Sequence, residues 1–128
     1  MKKNMIFRSA LVILFATLSL GSNAQETQHQ KVNIIDFQVV KDQNKVLINW
    51  ATDNGVPTNY FMVEKSSDGK NFRTVAYVMG PDPTRRNCDC YDCFDKVNTN
   101  TKKSYYRLRH VDNDGKIELS EVRILALK

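Results

Sequence analysis

The sequence predicts an all-β fold, and two observations carry that prediction. Two aromatic-rich alternating runs, Tyr60–Gly69 and Ser104–Gly115, each end at an Asp-Gly turn, and a second alternating run follows each of them. This pattern is typical of β-hairpins. In addition, no segment after residue 24 shows the apolar periodicity of a helix. We therefore expect antiparallel sheets that pack face to face.

The first half of the chain divides into three predicted strands. Residues 32–40 form the first, and the turn Asp42-Gln43-Asn44 separates it from residues 45–51. In the second strand the two-residue period places Val46, Ile48 and Trp50 on one face. A polar loop follows, and residues 60–66 form the third strand.

Four more strands are predicted in the second half. Ser67–Lys70 turns the chain into residues 72–79, which end at Gly80–Pro83 because two prolines do not fit a central ladder. Further strands are predicted at residues 91–96, 105–111 and 117–127. Seven strands in about 100 residues are typical of an immunoglobulin-like sandwich. Trp50 is expected to anchor its core, together with Phe37, Phe61, Phe72, Tyr106 and Leu108.

The amino terminus predicts export. Three basic residues precede the apolar run Ala10–Leu20, and the small residues of Ser22-Asn23-Ala24 follow it. This is the plan of a cleaved signal peptide over residues 1–24. The apolar run is also shorter than the ~20 residues that span a bilayer. We expect a protein in the periplasm or outside the cell, at the cell surface or free, with no membrane span after cleavage.

The positive charge belongs largely to this leader. The whole chain carries a formal +5, but residues 1–24 contain three basic and no acidic side chains, which leaves 16 basic against 14 acidic residues, or +2. Nucleic acid is therefore not an expected partner, and Lys102, Lys103, Arg107 and Arg109 are expected to lie on a solvated sheet face. Residues 25–31 are predicted to be a flexible lead and residues 32–128 a single domain.

Three segments of the predicted strands and hairpins resemble parts of the fibronectin type III-like domains found in secreted and cell-surface proteins of Gram-negative bacteria with type IX secretion. Ile48-Asn-Trp50 is similar to a strand ending in Trp. Phe61–Phe72 matches F-x-V-E-x-S-x-D-G-x-x-F, and Tyr105–Gly115 matches Y-Y-R-L-x-x-V-D-x-D-G. The resemblance covers residues 32–127. One departure is Ser104, which stands where such domains commonly have Tyr, so that Tyr105 or Tyr106 is expected to compensate.

The resemblance implies a seven-stranded sandwich that acts as a spacer or an adhesive module. Since the sequence ends at Lys128, directly after the last predicted strand, we expect a free-standing module that binds a protein or glycan partner. Its contact surface is predicted in three loops, at residues 54–59, 81–93 and 112–115. The candidate binding residues are Asn54, Tyr91, Phe94 and Asp112.

Three cysteines, Cys88, Cys90 and Cys93, fall within six residues of the second of these loops, residues 81–93. One interpretation is a loop-pinning disulfide, Cys88–Cys93 or Cys90–Cys93, whose odd thiol allows a disulfide-linked dimer. The alternative function is an exported metal-binding or redox accessory protein. In it the three thiolates and His110 form a zinc set, or Cys90 and Cys93 form a C-x-x-C pair.

Other chemistry is not predicted. Asp112-Asn-Asp114-Gly115 begins like a calcium loop, but the twelfth position from Asp112 is Arg123 rather than Glu, which favours a hairpin turn. Glu64 and Glu118 are expected to face solvent without a cleft between them. We therefore expect neither an enzyme nor a cofactor.

Overall fold

A computed structural model describes residues 28–127. The predicted signal peptide and residues 25–27 of the predicted lead lie outside the described residues. Over residues 28–127 the chain forms strands and no helix. The strands are β1 (Ile34–Asp42), β2 (Lys45–Thr52), β3 (Tyr60–Ser66), β4 (Arg73–Val78), β5 (Asp89–Lys96), β6 (Lys103–Val111), β7 (Ile117–Leu119) and β8 (Arg123–Ala126).

The strands form two antiparallel sheets, which confirms the predicted all-β sandwich. The smaller sheet has the order β1-β2-β5. The larger sheet has the order β4-β3-β6, and both β7 and β8 pair with β6 along its other side. β7 and β8 therefore occupy successive parts of one edge.

The last predicted strand, residues 117–127, is wrong as a single element, so the described chain has eight strands instead of seven. The interruption lies at Ser120. The Leu108 amide donates to Ser120 Oγ at 2.8 Å, and the Ser120 amide donates to the Leu108 carbonyl at 2.8 Å. Because a hydroxyl takes the place of a ladder carbonyl, regular pairing stops and resumes only at Arg123.

The core follows the two-residue period of the strands. Trp50 stacks on Tyr91 with ring centroids 5.5 Å apart, and Phe61 meets both rings edge-on. Such aromatic pairs contribute about 0.5–1.5 kcal/mol each beyond area burial. The prediction of Phe72 as a core residue is wrong. Its ring lies outside the core cluster, 4.0 Å beneath the Arg107 guanidinium. The buried core cluster consists of Phe37, Val46, Ile48, Trp50, Phe61, Val63, Tyr91, Tyr106, Leu108 and Leu125.

A polar network closes the core near the β3–β4 hairpin. Lys65 faces inward with a 7% exposed side chain, and its Nζ donates to Asp95 Oδ2 at 2.7 Å and to the Lys96 carbonyl at 3.0 Å. The Tyr106 hydroxyl donates to the same Asp95 oxygen at 2.9 Å. Burial opposes ionisation of Asp95, but these hydrogen bonds outweigh it and lower its pKa. Burial and the bond to Asp95 raise the pKa of Tyr106.

Candidate binding surface at the loop end

Three connections meet at one end of the sandwich, which we call the loop end: residues 53–59, 79–88 and 112–116. The pairing registers bring them together, since Thr52 lies opposite Asp89 and Tyr60 opposite Val111. The three loops that the sequence predicts as one surface thus share an end. The other end, which we call the hairpin end, consists of residues 43–44, 67–72 and 97–102.

Asn54, in the β2–β3 loop, forms hydrogen bonds with the segment that precedes β1. Its Nδ2 donates to the Lys31 carbonyl at 2.8 Å, and its Oδ1 accepts from the Asn33 amide at 3.1 Å. Asn33 Nδ2 in turn donates to Asp53 Oδ1 at 2.6 Å. The amide of Asn54 is therefore engaged within the protein, and its role at the loop end is to order the loop.

Asp112 orders the β6–β7 turn. Only 6% exposed, it accepts from the Asp114 amide at 2.8 Å and from the Lys116 amide at 2.9 Å, both through Oδ1. Gly115 completes the turn at φ 81°, a left-handed conformation that glycine adopts without strain. Burial opposes ionisation of Asp112, but the two amide bonds hold its pKa below the usual range. The predicted hairpin turn is confirmed.

His29 lies between two carboxylates at the loop end. Its Nε2 is 3.2 Å from Glu118 Oε1, and its Nδ1 is 3.6 Å from Asp112 Oδ2. The other Glu118 oxygen accepts from the Val32 amide at 2.8 Å. Residues 28–31, the described part of the predicted flexible lead, form no strand but contact the domain through His29 and Lys31.

His110, near the cluster of His29, Asp112 and Glu118, is buried. Its Nε2 is 2.9 Å from Thr58 Oγ1, its ring packs against Phe61 at 5.1 Å, and its Nδ1 has no hydrogen-bond partner among residues 28–127. Burial lowers the pKa of His110 despite the nearby carboxylates of Glu118 and Asp112. A hydroxyl beside an imidazole supplies two of the three members of a catalytic triad, but no carboxylate among residues 28–127 contacts Nδ1 to orient the ring.

The disulfide at the loop end joins Cys88 to Cys90 and leaves Cys93 as a free thiol. The two expected pairings, Cys88–Cys93 and Cys90–Cys93, are therefore wrong. The reason is that β5 begins at Asp89, two residues before the predicted strand. In a strand, residues three apart point to opposite faces, so Cys93 packs against the core whereas Cys90 lies on the outer face.

Because of the same alternation, the structure does not bring together the cysteines expected to form a zinc site with His110 or a C-x-x-C redox pair. Two of the three thiols are joined in the disulfide, and the third, that of Cys93, lies near Asp95 and Tyr106. Among residues 28–127, no three His, Cys, Asp or Glu side chains are placed to hold a metal ion. Burial raises the pKa of Cys93 to about 12, so its thiol is protonated at neutral pH.

The two aromatic candidates lie in different environments. Tyr91 is 5% exposed and belongs to the core, so its prediction as a contact residue is wrong. Phe94 is 66% exposed, but it lies on the outer face of the smaller sheet, opposite Leu47, with Lys45 Nζ 5.2 Å from its ring. It therefore belongs to a sheet face and not to the loop end.

Two depressions flank the β2–β3 loop. The larger, about 800 Å³, runs along the disulfide between Ile35 and Asp36 of β1 and the β4–β5 connection. Arg85 and Arg86 line it. The smaller, about 520 Å³, lies between the His29 segment and the β6–β7 turn. The loop end thus offers two open depressions on an ordered frame.

Sequence reasoning missed the clamp of His29, Asp112 and Glu118. In the last predicted strand the two-residue period places Glu118 on the face opposite to Ile117 and Leu119, which was a signal for this cluster. No residue near His29 in the sequence indicates which carboxylates it contacts. The Arg107 and Arg109 side chains were expected on a solvated face, whereas both converge on Glu64, which is only 4% exposed.

The chain matches no protein-family model and no curated protein sequence. Among solved structures it is similar to a pectate lyase from Pectobacterium carotovorum, with 17% identity and a TM-score of 0.55 over 71% of this chain. It is also similar to a β-1,2-glucanase from Parabacteroides distasonis, with 19% identity and a TM-score of 0.54 over 76% of this chain. The chain spans only 26% of the lyase and 13% of the glucanase, and the likeness shows the fold alone.

No helix within residues 28–127 is long and apolar enough to cross a membrane.

Proposed function

We propose that this protein is an exported, non-catalytic binding module of the cell envelope, fibronectin type III-like in fold, which contacts a protein or glycan partner through its loop end. One observation carries the proposal: three connections converge on one end and are held there by a disulfide and by side-chain bonds to the backbone. Ordered loops on a rigid sandwich lower the entropy lost on binding.

The sheet order supports the family resemblance that this proposal uses. Because β7 and β8 share one side of β6, the larger sheet has four strand positions opposite the three of the smaller sheet. That division gives the seven positions expected of such a sandwich. Of the two tyrosines expected to compensate for Ser104, Tyr106 has a hydroxyl that donates to Asp95, which supports its choice for that role.

The non-catalytic part of the proposal is supported by the buried groups at the loop end. Asp112 is committed to the turn, and His110 is held against the core with a lowered pKa. The expected covalent dimer gains no support, because Cys93 is half-buried and protonated at neutral pH. We therefore propose noncovalent binding.

The test uses the purified protein, labelled and applied to a glycan array and to isolated envelope fractions of the producing organism. The variant Arg85→Ala/Arg86→Ala alters the larger depression. The matched control Lys102→Ala/Lys103→Ala removes the same charge at the hairpin end. We expect the first variant to weaken retention about tenfold and the second to leave it unchanged. Retention that both variants lower equally, or no retention on any surface, would contradict the proposal.

A further inference from the structure

The outer face of the larger sheet carries an apolar band that is separate from the loop end. The pairing registers align Tyr77, Met62, Arg109 and Leu119 in one row across four strands. Tyr77 is 64% exposed and Leu119 is 45% exposed. We call this band, completed by Tyr60 and Ile117 in the next row, the platform. Tyr77, Leu119 and Ile117 are too exposed to serve the core of this domain.

Arg109 of the platform shares a buried carboxylate, that of Glu64, with the neighbouring Arg107. Glu64 accepts from Arg107 Nε at 2.5 Å through one oxygen and from Arg109 Nε at 2.7 Å through the other. The ring of Phe72 supports the Arg107 guanidinium from the side, at 4.0 Å. Within residues 28–127, these Nε–H groups are the only side-chain donors of either arginine that are used in a hydrogen bond. The terminal nitrogens therefore keep their donors for another molecule.

The charge balance of this cluster is incomplete. One arginine suffices to neutralise Glu64, so the second leaves a net positive charge within an apolar band. The side chains of Arg107 and Arg109 remain 22% and 29% exposed, which makes both accessible. An anionic group bound there would complete the charge balance, and a carboxylate matches the planar guanidinium in a bidentate manner.

Backbone pairing restricts how a ligand binds to the platform. β3 and β6, which carry Met62, Glu64 and both arginines, are paired on both sides. They cannot accept an added peptide strand, so side chains alone must recognise the ligand. Exposed tyrosine rings and aliphatic groups fit the apolar C–H faces of pyranose rings, because the ring faces carry negative quadrupole charge.

We propose that the platform binds a carboxylated polysaccharide, with pyranose rings on Tyr60 and Tyr77 and a uronate carboxylate on the terminal nitrogens of Arg109. A neutral glycan leaves the arginine donors unused, whereas a carboxylate on the polymer satisfies them. This site lies on the sheet face and does not depend on the loop-end proposal.

Affinity electrophoresis of the purified protein tests the proposal, with polygalacturonate and alginate as probes. Methyl-esterified polygalacturonate is the neutral control, and polyglutamate is the acidic peptide control. Tyr77→Ala and Arg109→Gln are the platform variants. Phe94→Ala and Lys45→Gln are their matched controls, since Phe94 is 66% exposed and pairs with Lys45 on the opposite face. Tyr77→Ala leaves Glu64 untouched, so it remains informative if Arg109→Gln impairs folding.

We expect retardation by at least one uronate polymer, about tenfold weaker in each platform variant and unchanged in both controls. Retardation by neither uronate overturns the proposal, as does equal retardation by the ester or by polyglutamate. Light scattering that shows a dimer dissociated by Tyr77→Ala would assign the platform to self-association instead. If only Arg85→Ala/Arg86→Ala abolishes the retardation, the uronate binds at the loop end and the platform proposal fails while the loop-end proposal stands.

Discussion

The two ends of the sandwich differ in how their buried ionisable groups are satisfied, although one buried hydroxyl at the hairpin end, Thr101 Oγ1, also has no hydrogen-bond partner among residues 28–127. At the hairpin end, Lys65, Asp95 and Tyr106 form a closed network in which each charged or hydroxyl group has a partner. At the loop end, His110 has a partner on one nitrogen only, and the indole N–H of Trp50 has none among residues 28–127.

This difference indicates that one end of the domain stabilises the core, whereas the other leaves polar groups available. A closed polar network between the sheets rigidifies the core and specifies one arrangement of it. An incompletely satisfied group lowers local stability and leaves a donor or acceptor available when a ligand or water arrives. We infer that the hairpin end fixes the two sheets, whereas the buried groups beneath the ordered loops of the loop end contribute less to the global stability of the domain.

The largest effect is expected from Asp95→Asn. The change leaves the Lys65 ammonium buried without its counter-charge, and breaking a buried pair costs about 3 kcal/mol at the low end of the usual range. Asp92→Asn, on the exposed face of the same strand, is the control and should cost under about 0.5 kcal/mol. Urea unfolding measures both. Equal stability of the two variants would remove the distinction between the ends.

The disulfide is expected to have an intermediate effect at the loop end. Because Cys88 and Cys90 are only two residues apart, chain entropy predicts a loss of about 1.5 kcal/mol in Cys88→Ser/Cys90→Ser. Reductant should lower the stability of the wild type by the same amount and leave the variant unchanged. A loss of unfolding free energy as large as that of Asp95→Asn would show that the loop end contributes as much to stability as the hairpin end.

The pH dependence of stability should distinguish the two networks. His110 has a folded pKa below its ordinary 6.5, so the unfolded state binds more protons and stability falls as pH drops below about 6.5. Asp95 has a folded pKa below 3.8, so its contribution is complete above that pH and is lost further down. His110→Gln should remove the decrease in stability between pH 7 and 5.5 that this lowered pKa predicts. Persistence of that decrease in His110→Gln would assign it to another group.

The smallest effect is expected from His29→Ala. The His29 side chain is 32% exposed, and exposed ion pairs contribute about 0–1 kcal/mol. Global unfolding should therefore change by less than about 0.5 kcal/mol, while amide exchange at Val32, whose N–H bonds to Glu118, should become faster. Unchanged exchange at Val32 would mean that the clamp does not order this segment.

The sequence predicts most of the fold because the two-residue period is strong where one face is buried. Trp50, Phe61 and Leu108 are core residues as expected. Tyr91 was misassigned because the polar residues around the cysteines hide the start of β5. Once the strand begins at Asp89, alternation places Tyr91 inward and separates Cys90 from Cys93.

The polar clusters were not predictable from the sequence for a different reason. Lys65 and Asp95 lie on different sheets, and Glu64 meets Arg107 and Arg109 only through the register of β3 on β6. Charged residues on an alternating strand look solvated until the pairing is known, since their partners are distant in the chain. Period-two patterns predict which face a residue occupies, but not what lies opposite it.

The interruption at Ser120 has a consequence for assembly in crowded compartments. Long, regular edge strands are templates on which other chains add and aggregate. Here one edge of the larger sheet is divided into β7 and β8, which have three and four residues, and regular pairing with β6 is interrupted at Ser120 between them. No continuous stretch on this edge is long enough to nucleate a stable intermolecular sheet, so this side of the protein can remain uncovered without polymerising.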